Sequence, residues 1–376
     1  MQSLVIALEP DRPLADQLAE IECAQPDLVL AWLPPGDGLQ DALEALANRW
    51  PESPVCGSEA VRQFVDGHTC RDGVLLLLEL ENPASRVTVE VFDEATGAAE
   101  FGHRLADGSQ HHQSGLILVD GLRFSLTRAL DALQSSLDGG SCRTVMAGGR
   151  ASQGARFEGP GARVFSSRRI LPAGALAVWF DGIEASLEVF AEWQPAGPFY
   201  TVTAADGSTL YEIDGEPATT WFRRFFEVEG ELAPLPFSAL RFPLILEGAD
   251  EDRRGLFRTL RAFDDPPGCV TFWGDFRIGE RIRFGIPSDK SLLQAGYRRA
   301  LASSFRSEVG LLFSCYGREV LLGERAEEEP ADLHRALGGA PLAGLSTFGE
   351  IGPSRSGSIA LYNQTAILLR LRELPR

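Results

Sequence analysis

Lysine is nearly missing from this 376-residue chain: Lys290 is the only one, so the cations are arginines. The formal net charge is −18. Nucleic acid and anionic membrane surfaces both call for a basic footprint, so neither is expected as a partner. Long hydrophobic runs are absent too. The longest aliphatic run, Val74–Leu78, is far short of the ~20 residues that span a bilayer. The start, Met1–Leu8, has no basic region, and Glu9 and Asp11 follow at once. Cysteines stand at positions 23, 56, 70, 142, 269 and 315 with no C-x-x-C pair. That spacing suits buried thiols in a reducing compartment, and the expected location is the cytoplasm. No G-x-S-x-G, P-loop, H-E-x-x-H or metal-spaced Cys/His cluster occurs, so no enzyme class or metal is marked.

What is present is a recurring order of elements. A strand over 27–32, a helix over 39–49 and a strand over 54–58 ending near Gly57 form the first occurrence. The second is a strand over 115–119, a helix from Ser125 or Thr127 to Leu137, stopped by Asp138-Gly139-Gly140, and a strand over 142–147. In the third, a helix begun near Ser288 or Asp289 carries Leu293, Tyr297, Ala300, Leu301 and Phe305 inward. Strands over 309–313 and 342–347 then flank a helix over 327–337. The fold expected is α/β, with mixed sheets flanked by helices, two related halves, and weak internal repeats of β-α-β plus hairpin. The segment 163–170 is expected to pair with 175–180. Pro195–Pro198 marks the boundary between domains 1–195 and 196–376. Gly97–Ser114, with three of the five histidines, reads as loop.

Polar groups gather where strands end near the C-terminus, the place where α/β folds build sites. Cys315 and Arg318 follow the strand 309–313. Arg318 suits a bidentate carboxylate contact, or else a salt bridge to Glu319, Glu324 or the run 327–329. Cys315 reads as a pocket-lining residue that does not react. Paired with His334 it would make a cysteine enzyme, the weaker reading. Thr347, Phe348 and Glu350 lie at the next strand end, where Glu350 either receives an ammonium group or caps a turn. Asn363 and Thr365 share one face of an otherwise apolar strand, and need either a ligand or backbone partners. Tyr362 and Phe348 supply an apolar wall. Gly149 and Arg150 hold the corresponding place in the second repeat.

These phrases resemble the FIST family, above all Phe313–Arg318, Thr347–Pro353 and Tyr362–Thr365. So do Leu322-Gly323 with the acidic run Glu327–Glu329, Val145–Ala151, Gly174–Val178, Tyr211–Ala218 and Phe242-Pro243-Leu244. The resemblance implies FIST N-like and FIST C-like domains forming a stand-alone sensor. It would bind a small polar ligand, an amino acid or related metabolite, at Cys315, Arg318, Thr347, Phe348, Glu350, Tyr362, Asn363 and Thr365. The partner implied is a separate histidine kinase or diguanylate cyclase. Some members carry haem and sense nitric oxide. The axial candidates for that alternative are His68, His103, His111 and His112, with Cys315 or Tyr316 behind them.

Overall fold

The computed structural model describes residues 1–137, 142–153, 161–228, 231–232, 239–248, 250, 252–264, 268–287 and 289–376. Asp138–Gly140 and Ser288, read above as a helix stop and a cap, lie outside them. The fold is α/β. Among the described residues, three six-stranded mixed sheets repeat one plan, and the third repeat carries an inserted antiparallel sheet.

The first unit runs β1 (Gln2–Ala7), α1 (Leu14–Ala19), β2 (Leu28–Leu33), α2 (Leu39–Arg49) and β3 (Val55–Glu59). The hairpin β4 (Gln63–Val65) and β5 (His68–Cys70) follows, then β6 (Val74–Glu79). β2 and β3 are parallel, and α2 makes the crossover that parallel pairing requires. Leu39, Leu43, Leu46 and Ala47 of α2 are buried, the stripe expected from their spacing.

The second unit runs β7 (Arg86–Phe92), α3 (Ala98–His111), β8 (Ser114–Val119), α4 (Leu126–Ser136) and β9 (Val145–Arg150). The hairpin β10 (Val164–Ser166) and β11 (Arg169–Leu171) follows, then β12 (Ala175–Asp181). Here two expectations fail. Gly97–Ser114 is largely the helix α3, whose Phe101 and Leu105 are buried. Its glycines hide the helix in the sequence but serve its packing. A Cβ at Gly102 would sit 2.1 Å from the Ala129 carbonyl, and one at Gly108 2.3 Å from Trp179. Close packing of this kind outweighs weak intrinsic propensity. The segment 163–170 does not pair with β12. It folds on itself through a positive φ at Ser167, and β12 lies between β7 and β8 in another sheet.

The third unit opens with β13 (Ile183–Phe190) and departs into the insert. That comprises β14 (Trp193–Asp206), β15 (Thr209–Ile213), β16 (Glu216–Pro217), α5 (Ala218–Phe226), β17 (Glu227–Val228) and β18 (Glu231–Leu232). β19 (Leu244–Leu246), β20 (Phe257–Asp264), β21 (Cys269–Trp273) and β22 (Arg281–Pro287) complete it. The chain returns through α6 (Asp289–Ala302), β23 (Val309–Cys315), α7 (Tyr316–Leu322), α8 (Glu328–Ala336) and β24 (Leu342–Thr347). It ends with the hairpin β25 (Glu350–Pro353) and β26 (Ile359–Tyr362), then β27 (Ala366–Glu373). β14 runs straight through Pro195–Pro198, where a register shift between Ala196 and Tyr200 accommodates the prolines. On α6 the inward residues include Leu292, Leu293 and Ala300, whereas Leu301 is 57% exposed, contrary to expectation.

The sheet orders expose the plan: β1-β6-β2-β3-β10-β11, β7-β12-β8-β9-β25-β26 and β13-β27-β23-β24-β4-β5. In each, a parallel pair is flanked by antiparallel strands. Each unit gives its hairpin to a neighbour: the first to the third, the second to the first, the third to the second. One face of every sheet meets the others in a common core that includes Leu30, Leu118, Val178, Leu311 and Leu369. Helices cover the outer faces.

Three glycines mark the equivalence. A Cβ at Gly57, Gly148 or Gly344 would lie 1.8, 1.8 or 2.0 Å from the carbonyl of Ala31, Ile117 or Leu312 on the parallel neighbour. Two residues beyond them the three units are tied in a ring. Ser152 N–H donates to Glu59 O at 3.2 Å and Phe348 N–H to Arg150 O at 3.1 Å. The third link passes through a side chain: Val61 N–H donates to Ser152 Oγ at 3.1 Å, which donates to Ser346 O at 2.6 Å.

Candidate functional site

The ring sets β23, β24, β25 and the break between β26 and β27 side by side, and with them the three polar phrases. Cys315 N–H donates to Thr365 O at 2.9 Å. Glu350, fully buried, is the hub. Its Oε2 accepts the Thr365 hydroxyl at 2.6 Å and the Thr365 N–H at 3.2 Å. The Thr347 hydroxyl lies 2.5 Å from Oε1 and 3.3 Å from the Ser314 carbonyl. It has one proton and two acceptors in reach. Both contacts are satisfied at once when Glu350 is neutral and donates to Thr347, which donates onward to Ser314. Burial favours that neutral form and pushes the Glu350 carboxyl up to about 7, while Thr347 and Thr365, which can donate to the ionised form, pull the other way.

This gives a pH prediction. A carboxyl raised from 4.5 to about 7 in the fold leaves stability fully present below pH 4.5. It erodes as pH rises through 7, by roughly 3 kcal/mol in all. Glu350→Gln is expected to lose most of that dependence. Urea unfolding at pH 5 and pH 8 would show it, and equal slopes in both proteins would refute the neutral carboxyl.

Arg318 is fully buried and meets Glu329, with Nε and Nη2 both on Oε1, while Nη2 also reaches Leu292 O at 3.0 Å. Ser314 Oγ donates to Oε2 of the same glutamate. The salt bridge to the acidic run is thus the arrangement found. Burial would lower the guanidinium pKa, but the Glu329 charge outweighs it and holds it raised. Cys315 is buried and its thiol is pushed well up by burial and by Glu350, so it stays protonated. His334 lies instead 3.8 Å from Asp66. Asn363 accepts Thr259 N–H at 3.3 Å and donates to Tyr362 O at 2.7 Å, so its partners are backbone groups. The Tyr362 hydroxyl donates to Pro353 O at 2.6 Å, and burial raises it to about 12.

Phe348 carries the cluster outward. Its ring lies 5.8 Å from Tyr316 and 5.1 Å from Trp273 of the insert, and Arg261 sits 5.0 Å over Trp273. Arg150 flanks this row, donating to Gly121 O at 3.1 Å and Phe124 O at 3.2 Å, and burial lowers it to about 10. Trp273 and Arg261 left no signal in the sequence, since only folding brings the insert to Phe348. Glu329 was legible within the acidic run.

The histidines do not fit haem ligation. His68 is exposed on β5, and His103 and His111 are exposed on α3. His112 is held by Asp181 at 3.0 Å and stacks on Trp179 at 5.1 Å.

Residues 27–216 match the FIST N domain and residues 218–353 match the FIST C domain. An uncharacterized protein of Mycobacterium tuberculosis (strain ATCC 25618 / H37Rv) is 28% identical over 295 residues, covering 76% of this chain and 74% of that protein. An uncharacterized protein of Mycobacterium bovis is 28% identical over 346 residues, 88% of this chain and 86% of that protein.

Proposed function

Because the chain belongs to the FIST family through both its N and C domains, we propose that it is a sensory protein for a small polar ligand, an amino acid or related metabolite. FIST domains are sensory domains for small ligands. The signal passes by contact to a separate protein such as a histidine kinase or diguanylate cyclase.

The observation that supports this is the convergence of three distant phrases on one buried network. Ser314, Cys315, Thr347, Glu350 and Thr365 are joined there, and its outer edge is the Tyr316–Phe348–Trp273 row beside Arg261. In this reading the aromatic row takes the apolar body of the ligand, and Arg150 and Arg261 take its carboxylate. Thr347, Glu350, Thr365, Asn363 and Arg318 hold the row in place, with Cys315 and Tyr362 packed behind it.

A thermal-shift panel of amino acids on wild type and Phe348→Ala tests it. At least one amino acid is expected to raise the wild-type Tm, with the rise reduced severalfold by the substitution. Silence of the whole panel, or the same response from both proteins, would remove the reading.

A further inference from the structure

The insert meets α4 of the second unit and β26, the edge strand lent to that unit's sheet, and a cavity of about 90 Å³ lies in that seam. Thr127 and Leu130 of α4, Leu361 of β26 and three arginines, Arg253, Arg258 and Arg277, are among its walls. No residue of the Glu350 cluster borders it.

Arg258 is only 3% exposed. It donates through Nε to Asp275 O at 3.0 Å and through Nη1 to the carbonyls of Phe257, at 2.9 Å, and Leu361, at 3.5 Å. Among the described residues its Nη2 has no protein partner, and no carboxylate stands within ion-pair distance of it. Arg253 is bound to Glu280, and Arg277 to Asp250. The carboxylates on the wall are engaged as well: Asp252 accepts the hydroxyls of Ser354 and Ser356, and Asp131 lies 3.9 Å from Arg277. A buried guanidinium charge without a counter-ion in contact is strongly unfavourable, and of the three arginines on this wall only Arg258 is in that position. Burial and the nearby Arg253 bring Arg258 down to about 9, against Glu280 and Asp275, which act from beyond ion-pair distance, so it still carries its charge at neutral pH.

We propose that this cavity binds a small oxyanion, phosphate or a short-chain carboxylate, held by Nη2 of Arg258 with Arg277 at the mouth. Arg258 Nη2 carries two N–H donors, and the guanidinium charge strengthens their bonds to the oxygens of either group. The bound anion supplies a counter-charge in contact with Arg258 and ties the insert to α4 of the second unit.

The test is a thermal-shift titration of the full chain with sodium phosphate or sodium acetate, against sodium chloride at matched ionic strength. A saturable rise in Tm beyond the chloride control is expected in at least one arm, and the arm that responds identifies the class. Arg258→Gln should weaken the apparent affinity by roughly tenfold or more. Should that variant fail to fold, Thr127→Phe, which fills the cavity and keeps Arg258, should abolish the saturable rise. A response no different from chloride, or wild-type affinity kept in either folded variant, overturns the proposal. Phe348→Ala should leave the titration unchanged, which separates this site from the one proposed above.

Discussion

Alanine at Gly57, Gly148 or Gly344 is expected to destabilise the fold by about 3 kcal/mol or more in each case. The reason is geometric. The added methyl would lie 2.0 Å or less from a carbonyl oxygen of the parallel neighbour strand. That oxygen belongs to a ladder packed on both faces, between the common core and a helix layer, so it has no room to retreat. Ordinary overpacking meets flexible side chains and costs less. Urea unfolding of the three variants, with Gly38→Ala as a control where nothing lies within 4 Å, would measure it. A cost below ~1 kcal/mol at any of the three would show that the units are not equivalent there.

Arg318→Ala is expected to cost about 3–5 kcal/mol, because it leaves Glu329 buried with no cation. The ordinary price of truncating an exposed arginine would be far smaller. The paired change Arg318→Met with Glu329→Leu, which removes both charges, should recover much of the loss. Chemical denaturation of the two variants gives the comparison. A single variant that costs under ~1 kcal/mol, or a pair no better than the single, would contradict a buried ion pair here. The same pairing makes Arg318→Ala a poor probe of ligand binding, which is why Phe348→Ala is preferred.

Much of the plan was legible along the chain. Leu39, Leu43 and Leu46 recur at helical spacing and α2 follows them. The order of strand, helix and glycine-bearing strand appears three times, and those are the three parallel pairs. Where reading failed, a tertiary contact had overridden a local signal. The α3 glycines resemble loop residues until Ala129 and Trp179 are set against them. β1 and β7 are edge strands of alternating burial, too weakly patterned to be read without their partners.

For the site, the sequence determined which residues are polar at strand ends, and hence the set around Thr347, Glu350 and Thr365. It also left the fate of Arg318 open between a ligand and the acidic run. Only the tertiary structure decided that choice, by closing Glu329 onto Arg318 in a buried interior where an unpaired charge would be costly. Likewise, the exchange of hairpins could not be read from sequence. β4 pairs with β24 across nearly the whole chain. Backbone hydrogen bonds carry no side-chain code for a distant partner, and the three units satisfy them only when all three have met.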